Sequence, residues 1–134
     1  MSRLVMKFGG TSVADIDRIH EAARRVKAEA DAGHEIAVVV SAMAGTTDHL
    51  IDWTAEVASS RDVREFDVVV STGEQVTSGL MAMALQDLGL KARSWLAWQL
   101  PVRTDNMHGS ARILDIEAAE VGARMAQGEV AVMA

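Results

Sequence analysis

The stretch Val5–Ser12, VMKFGGTS, contains residue types that bind phosphate groups. Gly9 and Gly10 would let backbone N–H groups approach an anion with no Cβ in the way, and Lys7 adds a positive charge at the end of an apolar strand. A helix that begins at Ser12 would point the positive end of its dipole at the same place. The spacing matches neither of the two common glycine-rich phosphate motifs. A phosphate-binding loop and a tight turn with an exposed lysine are therefore about equally good interpretations of these residues alone.

Two later segments carry hydroxyl groups and a carboxylate that would suit a polar substrate. Ser41, Thr46 and Thr47 follow the apolar run Ile36–Val40. Their hydroxyls would either hydrogen-bond a substrate or cap the next helix, and capping is favoured by about two to one. Glu74 follows a glycine near the start of another helix, where its carboxylate would either interact with the helix dipole or bind a substrate ammonium group. The local sequence leaves both roles of Glu74 open.

No group of side chains has the spacing of a metal site, so no metal ligand is predicted. The chain has no cysteine, which excludes a thiolate site and a disulfide framework. The four histidines are scattered along the chain, and only His108, beside Gly109, is kept as a weak site candidate. Trp95 and Trp98 are interpreted as packing residues, because the net charge of −6 argues against base stacking with a nucleic acid.

The composition indicates one globular domain or one large lobe. The chain has 134 residues, of which 49% are hydrophobic, so it has enough apolar residues for a core. The acidic balance argues against a nucleic-acid partner. Apolar runs such as Ile36–Val40 are too short to span a bilayer, and the N-terminus lacks the apolar region of a signal peptide. We therefore expect a soluble cytoplasmic protein with no membrane partner.

Apolar runs and glycines predict alternating strands and helices, which indicates an α/β fold. Strands are predicted at residues 4–8, 36–40, 92–98, 111–116 and 130–134, with an irregular segment at 101–108. Ser12 is predicted to cap the first helix, with Asp15 as its capping-box partner, and Gly33 to end it. Because parallel strands end at one edge of their sheet, the loops after Phe8 and Val40 would lie together.

Periodicity also predicts which helical residues face the core. The expected inward residues are Val13, Ile16, Ile19, Ala23, Val26 and Ala30 in the first helix, Leu50, Trp53 and Val57 in the second, Val76, Leu80, Met83 and Leu88 in the third, and Ala118, Val121 and Met125 in the last. The segment Phe66–Val70 is ambiguous. Its composition favours a strand, and a long helix through Leu88 is the alternative.

Four motifs, taken together and in order, resemble the N-terminal part of aspartate kinases of the amino-acid kinase family. They are KFGGTSV at Lys7–Val13, SAMAGTTD at Ser41–Asp48, STGEQV at Ser71–Val76 and HGSARI at His108–Ile113. The resemblance implies a three-layer α/β/α sandwich with a mainly parallel sheet, and a long helix in place of a strand at Phe66–Val70. It also implies that residues 1–134 form the amino-acid-binding lobe. The chain stops at an apolar strand, which predicts that it is the first part of a longer chain. The resemblance implies that a nucleotide lobe and regulatory ACT domains follow Ala134.

The resemblance implies transfer of the γ-phosphoryl group of MgATP to the β-carboxylate of L-aspartate, the first step of lysine, threonine and methionine biosynthesis. Lys7 would be the catalytic residue, and the phosphate-binding residues would be Lys7, Phe8, Gly9, Gly10, Thr11 and Ser12. Ser41, Thr47 and Glu74 would bind aspartate, with Glu74 on its ammonium group. Magnesium would be held mainly through the phosphates, and the whole enzyme would be a homo-oligomer. The 134-residue chain alone is expected to be inactive. The alternatives are a family member with another substrate and a non-catalytic binding or assembly module.

Overall fold

A four-stranded parallel sheet forms the centre of the computed structural model, which describes residues 2–134. The elements follow the chain as β1 (Arg3–Phe8), a short 3-10 helix (Gly10–Val13), α1 (Ile16–Asp31), β2 (Glu35–Val40), α2 (Thr46–Val57), α3 (Val63–Val70), α4 (Thr72–Asp87), β3 (Ala92–Ser94), β4 (Val102–Thr104), β5 (Ile113–Ile116), α5 (Ala119–Met125) and β6 (Val130–Met133). The order in the sheet is β1-β2-β6-β3, and β4 pairs with β5 in a separate antiparallel hairpin.

The register of the sheet brings the carboxyl ends of its strands to one edge. Phe8 pairs with Val40 at the end of β1 and β2, and Val39 pairs with Met133 on β6. Val132 in turn pairs with Ser94 at the end of β3. The loops that follow these strands therefore emerge side by side, as the sequence predicted.

Helices cover both faces of the sheet, which confirms the three-layer α/β/α arrangement. On one face α1 and α4 pack against the strands over the main core, whose most deeply buried members are Val13, Ile19, Val26, Ile36, Val38, Met81, Leu85 and Val132. On the other face α5 packs over a smaller core of Trp95, Leu100, Val121, Met125 and Ala131. Alternate residues of each strand enter the two cores because a strand directs successive side chains to opposite faces.

The first helix begins at a different residue from the one that the sequence indicated. Gly10–Val13 forms a 3-10 turn, and α1 starts only at Ile16. Its N-cap is Asp15, whose carboxylate accepts a hydrogen bond from the backbone N–H of Arg18 at 2.8 Å. The prediction that Ser12 caps this helix is therefore wrong. The predicted stop at Gly33 is correct, because this glycine has a φ of 86°.

The segment Phe66–Val70 is helical, so the strand favoured by its composition is wrong. Asp62 caps α3 by accepting hydrogen bonds from the N–H groups of Arg64 and Glu65. The backbone of Ser71 stays in the right-handed helical region between α3 and α4. The two helices therefore follow each other almost without interruption, which agrees with the long helix implied by the family resemblance.

Several predicted inward faces are wrong. Trp53 is 54% exposed and its ring contacts that of His49 at a tilted angle, while Thr54 of α2 is buried in its place. In α4 the exposed residues include Val76 and Met83, both predicted to be inward. The residues of α4 that are buried are Gly73, Thr77, Ser78, Met81, Ala82, Ala84 and Leu85. Exposed Ile16 in α1 and Ala118 before α5 were also predicted to be buried.

Two strand predictions also need correction. The strand predicted at residues 92–98 ends at Ser94, and Trp95 begins a compact turn. The segment predicted to be irregular contains β4, which pairs with β5.

Candidate active site

The end of β1 and the loop that follows it combine an exposed cation with a glycine pair at the edge of the sheet. Lys7 lies between Met6 and Phe8, which both pack on the main core, so its side chain belongs to the opposite face of the strand. It is exposed and forms no ion pair with any residue from 2 to 134. Phe8 is buried, so only its backbone is available to a ligand. Gly9 adopts an extended conformation and precedes the 3-10 turn that contains Gly10.

Thr11 and Ser12 are exposed in this 3-10 turn. The N–H of Ser12 donates to the carbonyl of Gly9 at 2.9 Å, which closes the turn. The earlier N–H groups of such a turn have no partner within the helix. The end of β1 thus carries an exposed lysine followed by backbone N–H groups of a kind that suits an anion.

The loop after β2 lies directly beside the β1 loop. The N–H of Ser41 donates to the carbonyl of Phe8 at 3.1 Å, which extends the β1–β2 ladder by one residue. Gly45, with a φ of 75°, precedes α2, and a residue with a Cβ would be strained in that left-handed conformation. Thr46 and Thr47 lie in the first turn of α2 as half-buried residues. Because Gly45 occupies the N-cap position and no side chain caps α2, the interpretation of these threonines as caps is wrong.

Small residues bring three segments of the site into close contact. A Cβ added to Gly10 would lie 3.3 Å from the carbonyl oxygen of Ala42, and one added to Gly73 would lie 3.1 Å from the Cβ of Ala42. The buried Ala42 therefore lies between the β1 loop and the first turn of α4. The prediction of site residues missed Ala42 and Gly73 because neither carries a functional group. The small size of both residues, within the motifs SAMAGTTD and STGEQV, is the sequence feature that could have indicated this close contact.

Glu74 lies in the first turn of α4 and lines the cavity of the candidate site. This cavity has a volume of about 430 Å³ and is bordered by Ser71, Glu74, Gln75, Ser78, Trp95, Leu96, Ala97, Trp98 and Ala134. Glu74 is half-buried and forms no ion pair with any residue from 2 to 134. A carboxylate in this setting can bind an ammonium group of a ligand.

The structure brings some of the predicted site residues together and separates others. Among them, within residues 2–134, Glu74 is the one that borders the cavity. Lys7 lies near the end of β1, Ser41 in the loop after β2 and Thr47 in the first turn of α2, all at the same edge of the sheet. The wall formed by residues 95–98 was missed, because the sequence predicted a strand there.

His108 lies away from this cavity and has a structural contact. Its Nδ1 is 3.3 Å from Oδ2 of Asp67 on α3, and the same oxygen accepts a hydrogen bond from the N–H of Gly109 at 3.0 Å. This pair of contacts attaches the loop of the β4–β5 hairpin to α3. In the described chain, residues 2–134, no three His, Asp or Glu side chains lie close enough together to hold a metal ion. No helix in this part of the protein is both long and apolar enough to cross a membrane.

Comparisons with known proteins place this arrangement in a family. The family model described as the amino acid kinase family matches residues 2–134. Aspartokinase 2 of Bacillus subtilis is 42% identical over 134 residues, which is all of this chain and 33% of that protein. The chain thus spans about a third of the length of the curated relatives that it matches.

Solved structures agree with this assignment. The crystal structure of an aspartate kinase from Synechocystis superposes with a TM-score of 0.87 at 35% identity, covering 100% of this chain and 22% of the other. Aspartokinase III of E. coli, solved in complex with aspartate and ADP, gives a TM-score of 0.80 over 99% of this chain and 40% of the other, and at 22% identity this similarity concerns the fold alone. From the matched motifs, the fold and these relatives, the chain belongs to the amino acid kinase family.

Proposed function

We propose that this chain is the amino-acid-binding lobe of an aspartate kinase, which transfers the γ-phosphoryl group of ATP to the β-carboxylate of L-aspartate. The observation that carries the proposal is the position of a cation, Lys7, and a carboxylate, Glu74, at one edge of the sheet, neither of which forms an ion pair within residues 2–134. Ala42 connects the two segments through close contacts with Gly10 and Gly73. The ammonium group of an amino acid needs a carboxylate such as Glu74, and a nucleotide phosphate needs a cation such as Lys7.

Lys7 is proposed to contact the phosphoryl group during transfer. The amides of the loop Gly9–Ser12 would bind the phosphate oxygens beside it, and the buried Phe8 would contribute its backbone only. In the reaction the bond between the γ-phosphorus and the bridging oxygen of ADP breaks, and a bond to a carboxylate oxygen of aspartate forms. The negative charge that develops on the phosphoryl oxygens is stabilised by positioned donors and cations.

Glu74 is proposed to bind the α-ammonium group of aspartate, with Ser41 from the loop after β2 and Thr47 from the first turn of α2 hydrogen-bonding the substrate. The half-buried position of Glu74 supports this role, since ion pairs strengthen where water is partly excluded. The β-carboxylate of aspartate is already ionised at neutral pH, so the transfer needs no general base. This chain therefore contributes binding, orientation and charge stabilisation.

The remaining parts of the reaction are assigned to the longer protein. Magnesium is proposed to enter with ATP and to be held mainly through the phosphates. The adenine pocket and the regulatory domains would lie outside residues 1–134. That the complete enzyme is a homo-oligomer, and that it is located in the cytoplasm, stay predictions from the sequence. The relatives, which are about three times longer than this chain, support such a division.

The complete enzyme, supplied with MgATP and a panel of acceptors, tests the proposal. We expect an acyl phosphate, trapped by hydroxylamine, with L-aspartate and not with glutamate, acetylglutamate or carbamate. Phosphorylation of another acceptor would mean that aspartate is not the substrate, although the family's phosphoryl transfer would still be the reaction. Binding of aspartate without any phosphorylation would favour the non-catalytic alternative.

Glu74→Gln in the complete enzyme tests the proposed ammonium contact. We expect the KM for aspartate to rise by about 10- to 100-fold, because the variant loses a charge-assisted hydrogen bond while it keeps the size of the side chain. The KM for ATP should change little. Glu56→Gln, an exposed carboxylate on α2, is the matched control. An unchanged KM for aspartate in Glu74→Gln would remove Glu74 from the acceptor site.

A further inference from the structure

The wall of the cavity opposite α4 is a turn closed by its own hydrogen bonds. The side-chain Oε1 of Gln99 accepts a hydrogen bond from the backbone N–H of Leu96 at 3.0 Å. The backbone N–H of Gln99 in turn donates to the carbonyl of Leu96 at 2.8 Å. Gln99 therefore contacts both polar groups of Leu96. The two residues between them, Ala97 and Trp98, border the cavity.

Both ends of this turn are anchored in the smaller core. Trp95 and Leu100 are each 6% exposed, and both pack in the cluster under α5. The N–H of Trp95 donates to the carbonyl of Val132 on β6 at 2.7 Å, and the N–H of Leu100 donates to the carbonyl of Leu96 at 2.9 Å. The anchors fix where the turn begins and ends. They leave Trp98, which is 68% exposed, to be positioned by the turn itself.

We propose that Gln99 is a positioning residue of the acceptor site, which holds the wall Leu96–Trp98 against the cavity that contains Glu74. This inference rests on the proposed function, because it takes the cavity as the site of the amino-acid substrate. An apolar wall beside Glu74 would exclude water from the ion pair with the substrate ammonium group. Excluding water strengthens that ion pair. A loosened turn would therefore weaken substrate binding without moving the phosphate loop.

Because Gln99 is exposed, its proposed effect on substrate binding can be distinguished from an effect on the stability of the fold. Gln99 is exposed, and its side chain makes its contact within the turn. Losing one exposed hydrogen bond affects the stability of the whole domain little. The effect should instead appear in the binding of the substrate that the turn borders.

The test compares two substitutions of Gln99 in the complete enzyme at physiological ionic strength. Gln99→Met keeps the length of the side chain and removes the acceptor, whereas Gln99→Glu keeps an oxygen that accepts from the N–H of Leu96. We expect Gln99→Met to raise the KM for aspartate by about five- to tenfold, the equivalent of one lost hydrogen bond. Its kcat and its KM for ATP should stay within about twofold. Gln99→Glu should restore most of the affinity.

Gln127→Met, at an exposed glutamine after α5, is the matched control and should leave every constant unchanged. The inference is overturned if Gln99→Met leaves the KM for aspartate unchanged. It is also overturned if Gln99→Glu behaves as Gln99→Met does, since the lost acceptor would then not be the cause.

Fluorescence separates a failure of this inference from a failure of the proposed function. The emission of Trp98 is obtained as the difference between each protein and its Trp98→Phe counterpart. Gln99→Met should increase the quenching of this emission by acrylamide, because the turn opens. If the enzyme does not phosphorylate aspartate but quenching increases, the proposed function fails and the role of Gln99 in the turn stands. Unchanged quenching overturns that role whatever the activity.

Discussion

The two faces of the parallel sheet differ in how completely helices cover them. On the face below α1 and α4, the side chains of Ile36, Val38 and Val40 are at most 3% exposed. On the opposite face, α5 covers the part of the sheet near β6 and leaves Val5 of β1 70% exposed. Lys7 belongs to this second face. The same strand therefore supplies an anchor to the core and an exposed cation at the edge of the sheet.

The covered face of the sheet stabilises the fold, whereas the open face and the edge of the sheet carry the groups proposed to bind ligands. The covered face holds the strands in register, and the register fixes where their carboxyl ends lie. The open face and that edge carry charged groups whose favourable partners are not found within residues 2–134, such as Lys7 and Glu74. Substitutions on the covered face should therefore change stability, and those at the edge should change kinetics.

Truncation of a strand residue on the covered face should have the largest effect. Ile36→Ala should lower the free energy of unfolding by about 2–5 kcal/mol, because it removes buried methyl groups and leaves a cavity. Val5→Ala, on the open face of the neighbouring strand, should stay within about 0.5 kcal/mol. Urea denaturation of both variants measures the difference. Equal losses would mean that the open face is covered in solution.

Removal of the cation at the edge should affect catalysis more than folding. Lys7→Ala in the complete enzyme should lower kcat by about 100-fold or more, because a donor to the phosphoryl group is lost. The KM for aspartate should rise far less. Lys91→Ala is the control, since Lys91 is an exposed lysine outside the cavity. An unchanged kcat in Lys7→Ala would exclude this residue from the phosphate role.

The close contact between α4 and the β2 loop should tolerate no added methyl group. Gly73→Ala should destabilise the protein by about 1–3 kcal/mol, because the new Cβ would lie 3.1 Å from that of Ala42. Gly79→Ala, on the same helix, meets nothing within 4 Å and should stabilise by about 0.5–1 kcal/mol. Thermal unfolding of the two variants provides the comparison. Stabilisation by both substitutions would show that the β2 loop moves aside.

The smallest effect concerns the start of α1. Asp15→Ala should cost about 1 kcal/mol of stability, since it removes the acceptor for the N–H of Arg18. Ser12→Ala should cost clearly less, because Ser12 caps no helix in this structure. Urea denaturation distinguishes the two. A larger loss for Ser12→Ala would restore the cap that the sequence indicated.

Buried hydroxyls explain why the inward face of α4 could not be predicted from hydrophobicity. Thr77 and Ser78 are fully buried, and their hydroxyls donate to the carbonyls of Gly73 and Glu74 one turn earlier. These hydrogen bonds offset the free-energy cost of removing the two hydroxyl groups from water. Val76 lies on the exposed side instead. The spacing of apolar residues does not take such hydrogen bonds into account, so it could not predict that Thr77 and Ser78 face the core.

The sequence by itself determined the family motifs, the α/β alternation, and the loops at one edge of the sheet. It did so because strand periodicity, glycine positions and loop composition are local properties. At Phe66–Val70 the local composition favoured a strand, and the helix was expected only from the family resemblance. Only the tertiary structure decided that Asp15 and not Ser12 begins α1, and that residues 95–98 form a wall beside Glu74. The wall depends on the hydrogen bond from the N–H of Trp95 to the carbonyl of Val132, which is distant in the chain. The start of α1 depends on which of two nearby side chains accepts a backbone hydrogen bond, and hydrophobic periodicity does not distinguish them.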